Sequence, residues 1–143
     1  MPRTIRFSVV IPYRPSDARP VLPVHIAYRG RGVALEAIVD SGADRSSFPA
    51  ALADYLSIPS AARTPITVSG VTGTTATTGP DTAFAAQVLR TVQGRDIPSN
   101  ALFIPNGQHF LLGRADVFST FLFGFDQRRQ HLLLTPLPRA ARP

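Results

Sequence analysis

Residues 38 to 44 read Ile38, Val39, Asp40, Ser41, Gly42, Ala43, Asp44, an apolar strand ending on a carboxylate that is followed at once by a hydroxyl and a glycine. That order suits an aspartate that activates water. Ile38 and Val39 anchor the strand end in a core, Asp40 emerges where the strand stops, and Gly42 lets the backbone turn sharply without a Cβ in the way. Ser41 offers a hydroxyl to lock that turn. Far along the chain, Phe110, Leu111 and Leu112 form a second apolar run closed by Gly113 and followed by Arg114. Two apolar strands that each end on glycine suggest one crossing site built from both.

Other chemistries have less to work with. There is no cysteine, which removes thiol nucleophiles, disulfides and thiolate metal sites. His25, His109 and His131 lack metal-ligand spacing, so no metal or other cofactor is expected. Ser41 and Ser69 lack the Gly-x-Ser-x-Gly context that presents a nucleophilic serine. The net charge of +6 rests entirely on arginine, and the arginines are scattered rather than clustered, apart from Arg128 and Arg129 and the pair Arg139 and Arg142. Nucleic acid is therefore not expected as a partner. The apolar run from Phe7 to Ile11 is too short for a signal or a membrane span, so a cytoplasmic protein without membrane contact is expected.

A chain of 143 residues fits one domain, expected over residues 1–135 with a flexible tail at 136–143. Short apolar or alternating segments between Pro and Gly signals predict strands at 5–11, 24–28, 33–39, 64–69, 83–92, 101–104 and 132–135. Arg29 to Gly32 reads as a hairpin turn. Helices are predicted over 49–56 and 115–122. The hydroxyl-rich, glycine-punctuated stretch 64–80 reads as a hairpin projecting from the sheet, an arm able to close over a bound chain.

Together these pieces resemble the retropepsin-like aspartic proteases, in their cellular and bacterial rather than viral form. Asp40, Ser41, Gly42, Ala43 and Asp44 are similar to the family's catalytic motif, and Leu111, Leu112, Gly113 and Arg114 to its second signature. The likeness spans roughly residues 24 to 126 and is specific at the two motifs. It implies a mostly β fold, a closed antiparallel barrel with one or two short helices, forming half of a bilobed active site. No other aspartate here is followed by a hydroxyl and a glycine together, so the resemblance implies a homodimer in which each subunit donates Asp40.

The same resemblance assigns further roles. Ser41 would hydrogen-bond across the two-fold axis, Asp44 and Arg114 would pair beneath the site, and Gly42, Ala43 and Gly113 would shape its loops. Gly70, Val71, Thr72 and Gly73 would form a flap over a peptide or protein substrate. Ile38, Val71 and Leu111 are candidate pocket walls, favouring apolar residues around the cut. The implied activity is that of an aspartic endopeptidase; the alternative is a dimerisation or peptide-binding module of the same fold with little or no turnover.

Overall fold

A computed structural model describes residues 2–70, 73–74 and 82–139. In chain order it comprises β1 (Val9–Pro12), β2 (Val21–Tyr28), β3 (Arg31–Val39), β4 (Ser47–Pro49), α1 (Ala50–Tyr55), β5 (Thr64–Pro65) and β6 (Ser69–Gly70). There follow β7 (Gly73–Thr74), β8 (Phe84–Val92), β9 (Arg95–Ile104), β10 (Leu111–Leu112), α2 (Arg114–Thr120), β11 (Phe121–Asp126) and β12 (His131–Pro136).

The main sheet runs β2-β3-β10-β4-β9-β8-β5, and β2 also pairs with β8, which closes six of the strands into a ring. Its long members are two hairpins. Arg29 and Gly30 connect β2 to β3, Gln93 and Gly94 connect β8 to β9, and all four carry positive φ. Two such residues in a two-residue loop make the turn whose twist matches that of the flanking strands. Most pairings are antiparallel, as expected, but β10 lies parallel to β3 and β4 parallel to β9.

Inside the ring, strand alternation delivers one side chain in two to the core. On β8 the inward positions are Phe84, Ala86, Val88, Arg90 and Val92, and on β9 they are Ile97, Ser99, Ala101 and Phe103. Phe103 stacks on Phe84 with ring centroids 5.3 Å apart and meets Phe48 of β4 at a tilt. Such ring pairs add to the apolar area they bury. The predicted first helix matches α1, which turns Leu52 and Ala53 inward.

The second helix is shorter than predicted. Ala115 is extended and Asp116 has φ 71° and ψ −56°, so the turn opens with a break, and Phe121 and Leu122 leave it to pair with Pro136 and Thr135. Ser119 and Thr120 donate their hydroxyls to the Asp116 carbonyl, which holds what remains of the helix to its broken start. β11, β12 and β1 form a separate three-stranded sheet in the order β1-β12-β11, burying Phe121, Leu132 and Leu134. The chain stays attached beyond 136: the Leu137 amide donates to the Thr120 carbonyl at 2.8 Å and its own carbonyl accepts from Arg95 at 3.0 Å. Pro136 and Leu137, where a flexible tail was expected to begin, are thus held to the fold. No helix among the described residues is long and apolar enough to cross a membrane.

Candidate active site

Asp40 follows β3 directly, and strand alternation places it on the same side as Ile38, while Val39 points into the core. Its amide donates to the Leu112 carbonyl at 3.0 Å, and the Ile38 amide donates to the Phe110 carbonyl at 2.7 Å. Those two bonds flank the parallel pairing of Ile38 with Leu111 and Val39 with Leu112. The two apolar runs singled out in the sequence thus lie side by side, and each ends at the same level of the ring.

After Asp40 the chain folds back on the carboxylate itself. The Gly42 amide donates to Asp40 Oδ1 at 2.9 Å, and the Ala43 amide donates to the Asp40 carbonyl at 3.2 Å. No other group among the described residues donates to this carboxylate. A Cβ on Gly42 would stand 3.2 Å from Asp40 Oδ1, so a larger residue there would press on the carboxylate. Asp40 is half-buried, and Oδ1 accepts from Gly42, while Ser41 and Gly42 are exposed.

The turn is tied to the second apolar strand by backbone. Arg114 donates its amide to the Ala43 carbonyl at 2.8 Å, Ala115 donates to Asp44 at 2.9 Å, and Gly113 donates to Ser46 Oγ at 3.1 Å. Gly113 has φ −94° and ψ −177°, a conformation open to any residue, so its smallness serves packing alone. An added Cβ there would lie 2.5 Å from the Arg45 carbonyl oxygen and 2.9 Å from that of Ala43.

Asp44 and Arg114 form an ion pair beside the turn. Their side chains are 83% and 57% exposed in the subunit. A pair so open to water contributes at most about 1 kcal/mol. A second ion pair joins the fully buried Arg90 to the half-buried Asp116. Arg90 has no exposed side-chain surface, and its guanidinium donates to Ser46 Oγ, to Ser99 Oγ at 2.6 Å and to Asp116 Oδ2 at 3.1 Å. Ser99 in turn donates its hydroxyl to Asp116 at 2.5 Å. Burial pulls the Arg90 guanidinium below its ordinary range, and the Asp116 carboxylate opposes that shift.

None of Arg90, Ser46, Ser99 and Asp116 stood out in the sequence. One signal was present: residues 83 to 92 were read as a strand, and alternation through Phe84, Ala86, Val88 and Val92 places Arg90 at an inward position. A buried arginine demands a carboxylate and hydroxyls. Which residues answer that demand depended on a register no local pattern encodes.

The remaining candidates divide. Leu111 and Ile38 sit abreast on adjacent strands, Leu111 half-buried and Ile38 buried, so Leu111 presents the larger surface beside Asp40. β6 and β7 form a tight antiparallel hairpin with Ser69 opposite Thr74 and Gly70 opposite Gly73. Val71 and Thr72, the expected tip of the flap, lie outside the described residues. No group of three His, Asp or Glu able to hold a metal occurs among the described residues.

With this geometry in place, comparison with known proteins is informative. Residues 23–115 match the family model described as aspartyl protease, which covers both motifs and most of the ring. The chain belongs to the aspartyl protease family. Among solved structures it resembles the EIAV protease complexed with the inhibitor HBY-793, with a TM-score of 0.57 over 74% of this chain and 91% of that one, at 22% identity. The fold is therefore that of the retroviral, retropepsin-like proteases, mostly β with two short helices. No curated protein sequence matches.

Proposed function

We propose that this protein is an aspartic endopeptidase that works as a homodimer, each subunit supplying one Asp40. The observation that carries the reading is the half-buried Asp40 at the end of β3, its carboxylate held on one oxygen by the Gly42 amide. A single chain carries one such carboxylate, so a pair requires a second copy related by rotation.

Two carboxylates about 3 Å apart cannot both ionise cheaply, so they share one proton; aspartic proteases are a standard example of this behaviour. A water between them loses its proton to the ionised carboxylate and attacks the peptide carbonyl carbon. The protonated partner hydrogen-bonds the carbonyl oxygen as it becomes a hydroxyl. The proton first taken from water then passes to the leaving nitrogen, one diol hydroxyl returns its proton to the carboxylate pair as C=O re-forms and the C–N bond breaks, and no covalent enzyme intermediate forms. Asp40 is the catalytic residue here, and Ser41 bonds across the symmetry axis to hold the two turns together. Leu111 and Ile38 shape an apolar side-chain pocket.

The hairpin of β6 and β7, Gly70 to Gly73, acts as the flap. It takes the substrate as an extended strand through backbone hydrogen bonds. Gly73→Pro removes one backbone donor from that hairpin, and is expected to lower turnover at least tenfold while the melting temperature stays within a few degrees, as measured by peptide cleavage and thermal unfolding. Loss of the fold instead would make the segment structural.

The test of the whole reading is cleavage of a diverse peptide library at acidic and neutral pH, beside Asp40→Asn. Asp40-dependent cleavage supports it, and equal cleavage by both proteins, or none by either, refutes it. Sedimentation tests the shared site separately. Specific activity should rise with protein concentration in step with the dimer fraction, and a fully active monomer would end the two-subunit model.

A further inference from the structure

We propose that Arg90 is a positioning residue for the Asp40 site: its buried guanidinium clamps the turn after Asp40 to the strand end at Gly113 and Asp116, and so sets where the carboxylate stands. The inference rests on the protease reading for its consequence in catalysis, though the clamp itself does not.

Arg90 stands where the alternation of β8 calls for an apolar side chain. It occupies an inward position of β8, opposite Ile97 on β9 and beside Ile26 on β2, where Val88 and Val92 above and below it are apolar. An aliphatic side chain would fill that position without the expense of desolvating a cation. The guanidinium nevertheless stands there with its Nε unpartnered among the described residues, so full hydrogen bonding of the cation does not account for its presence.

What the fork does instead is reach in two directions. One terminal nitrogen donates to Ser46, whose same oxygen accepts the Gly113 amide at 3.1 Å. Ser46 lies six residues after Asp40, at the end of the turn that wraps the carboxylate. The other terminal nitrogen donates to Ser99 and to Asp116. One rigid planar group therefore touches both segments that meet at the site, and a point cation such as lysine cannot hold both at once.

Asp116 adds an independent indication. Its φ of 71° with ψ −56° is the geometry of a tight γ-turn, rare and strained for a residue with a Cβ. Such strain persists only where the surroundings over-determine it, and it clusters at functional sites. Arg90 and Ser99 grip the Asp116 side chain, while Ser119 and Thr120 grip its carbonyl. The strained residue sits three positions after Gly113, in the broken first turn of α2.

The experiment compares wild type, Arg90→Lys and Ser46→Ala by amide hydrogen exchange and by peptide cleavage. Ser46→Ala removes the link while leaving Arg90 paired with Asp116, so it guards against a variant that fails to fold. The amides of Gly113 and Arg114 should lose at least tenfold protection in both variants, while those of Ile26 and Leu35 in the β2–β3 hairpin change less than twofold. In cleavage, kcat should fall about tenfold with KM within threefold, and the pH profile should narrow as the two carboxylates couple less closely. Uniform loss of protection across the ring, or none at Gly113, would reduce Arg90 to a core residue and overturn the proposal. If wild type shows no Asp40-dependent cleavage, the protease reading fails by itself, and the exchange pattern still decides whether the clamp exists.

Discussion

Asp40→Asn should abolish peptide cleavage, with a residual rate below about one part in ten thousand, while leaving the fold intact. Asparagine has nearly the shape of aspartate and keeps a carbonyl oxygen where Oδ1 accepts the Gly42 amide at 2.9 Å, so the turn has no reason to open. What it loses is the ability to take a proton. In a homodimer the change is made twice, removing the base that activates water and the acid that serves the carbonyl oxygen. Each such role is worth about 10²–10⁴-fold. Stability should move the other way or not at all, because two carboxylates forced together repel and two amides do not. The two results distinguish chemistry from damage. Cleavage at more than a tenth of the wild-type rate would place the catalytic group elsewhere, and a melting temperature lowered by ten degrees would make the activity loss uninformative.

Much of the ring was legible because its strands are short, alternate and are bounded by Pro and Gly. The sequence places β3 and the turn after it within a residue or two, since Leu35 and Ala37 to Val39 are apolar and Asp40, Ser41, Gly42 are not. The β2–β3 turn was legible for the same reason, with a glycine where positive φ is needed. β4 was not, because Ser47 to Pro49 earns its strand status only from β9 and β10, whose pairing is set by distant residues. The second helix was overdrawn: Val117, Phe118, Phe121 and Leu122 have helical spacing, yet β12 recruits the last two as strand partners. Tertiary pairing outweighed local periodicity there.

The site divides along the same line. Asp40 and Gly113 were visible because each stands at the end of an apolar run, and their meeting follows once the runs lie parallel. The ion pair of Asp44 and Arg114 was legible as a contact because each residue closes one of the two motifs. Arg90 was missed because its partners, Ser46, Ser99 and Asp116, come from three other segments and are individually ordinary. A lone polar residue inside an alternating strand is the local trace of such a network, and only the register identifies the rest of it.

Gly113→Ala should be among the most damaging single methyl groups at the described glycines. The new Cβ would lie 2.5 Å from the Arg45 carbonyl oxygen and 2.9 Å from the Ala43 carbonyl oxygen, and it would be closer still to the Arg45 carbonyl carbon. All three contacts are backbone, so no rotamer change relieves them. Overpacking of well-filled sites usually costs about 1–3 kcal/mol; here the backbone has to part as well. Parting it breaks the bond from the Arg114 amide to Ala43 at 2.8 Å and the one from the Gly113 amide to Ser46, both in or beside the buried layer under Asp40. Each lost bond adds on the order of 1 kcal/mol. The sum predicts a loss of at least about 3 kcal/mol, read as a lower urea midpoint with an unchanged slope. Gly42→Ala offers the contrast, because its nearest neighbour is the Asp40 carboxylate at 3.2 Å rather than backbone. That variant should stay folded and lose activity, since the strain falls on the reacting group. If the two variants exchanged behaviours, the strand end at Gly113 would be a pliable part of the site and the turn after Asp40 its rigid part.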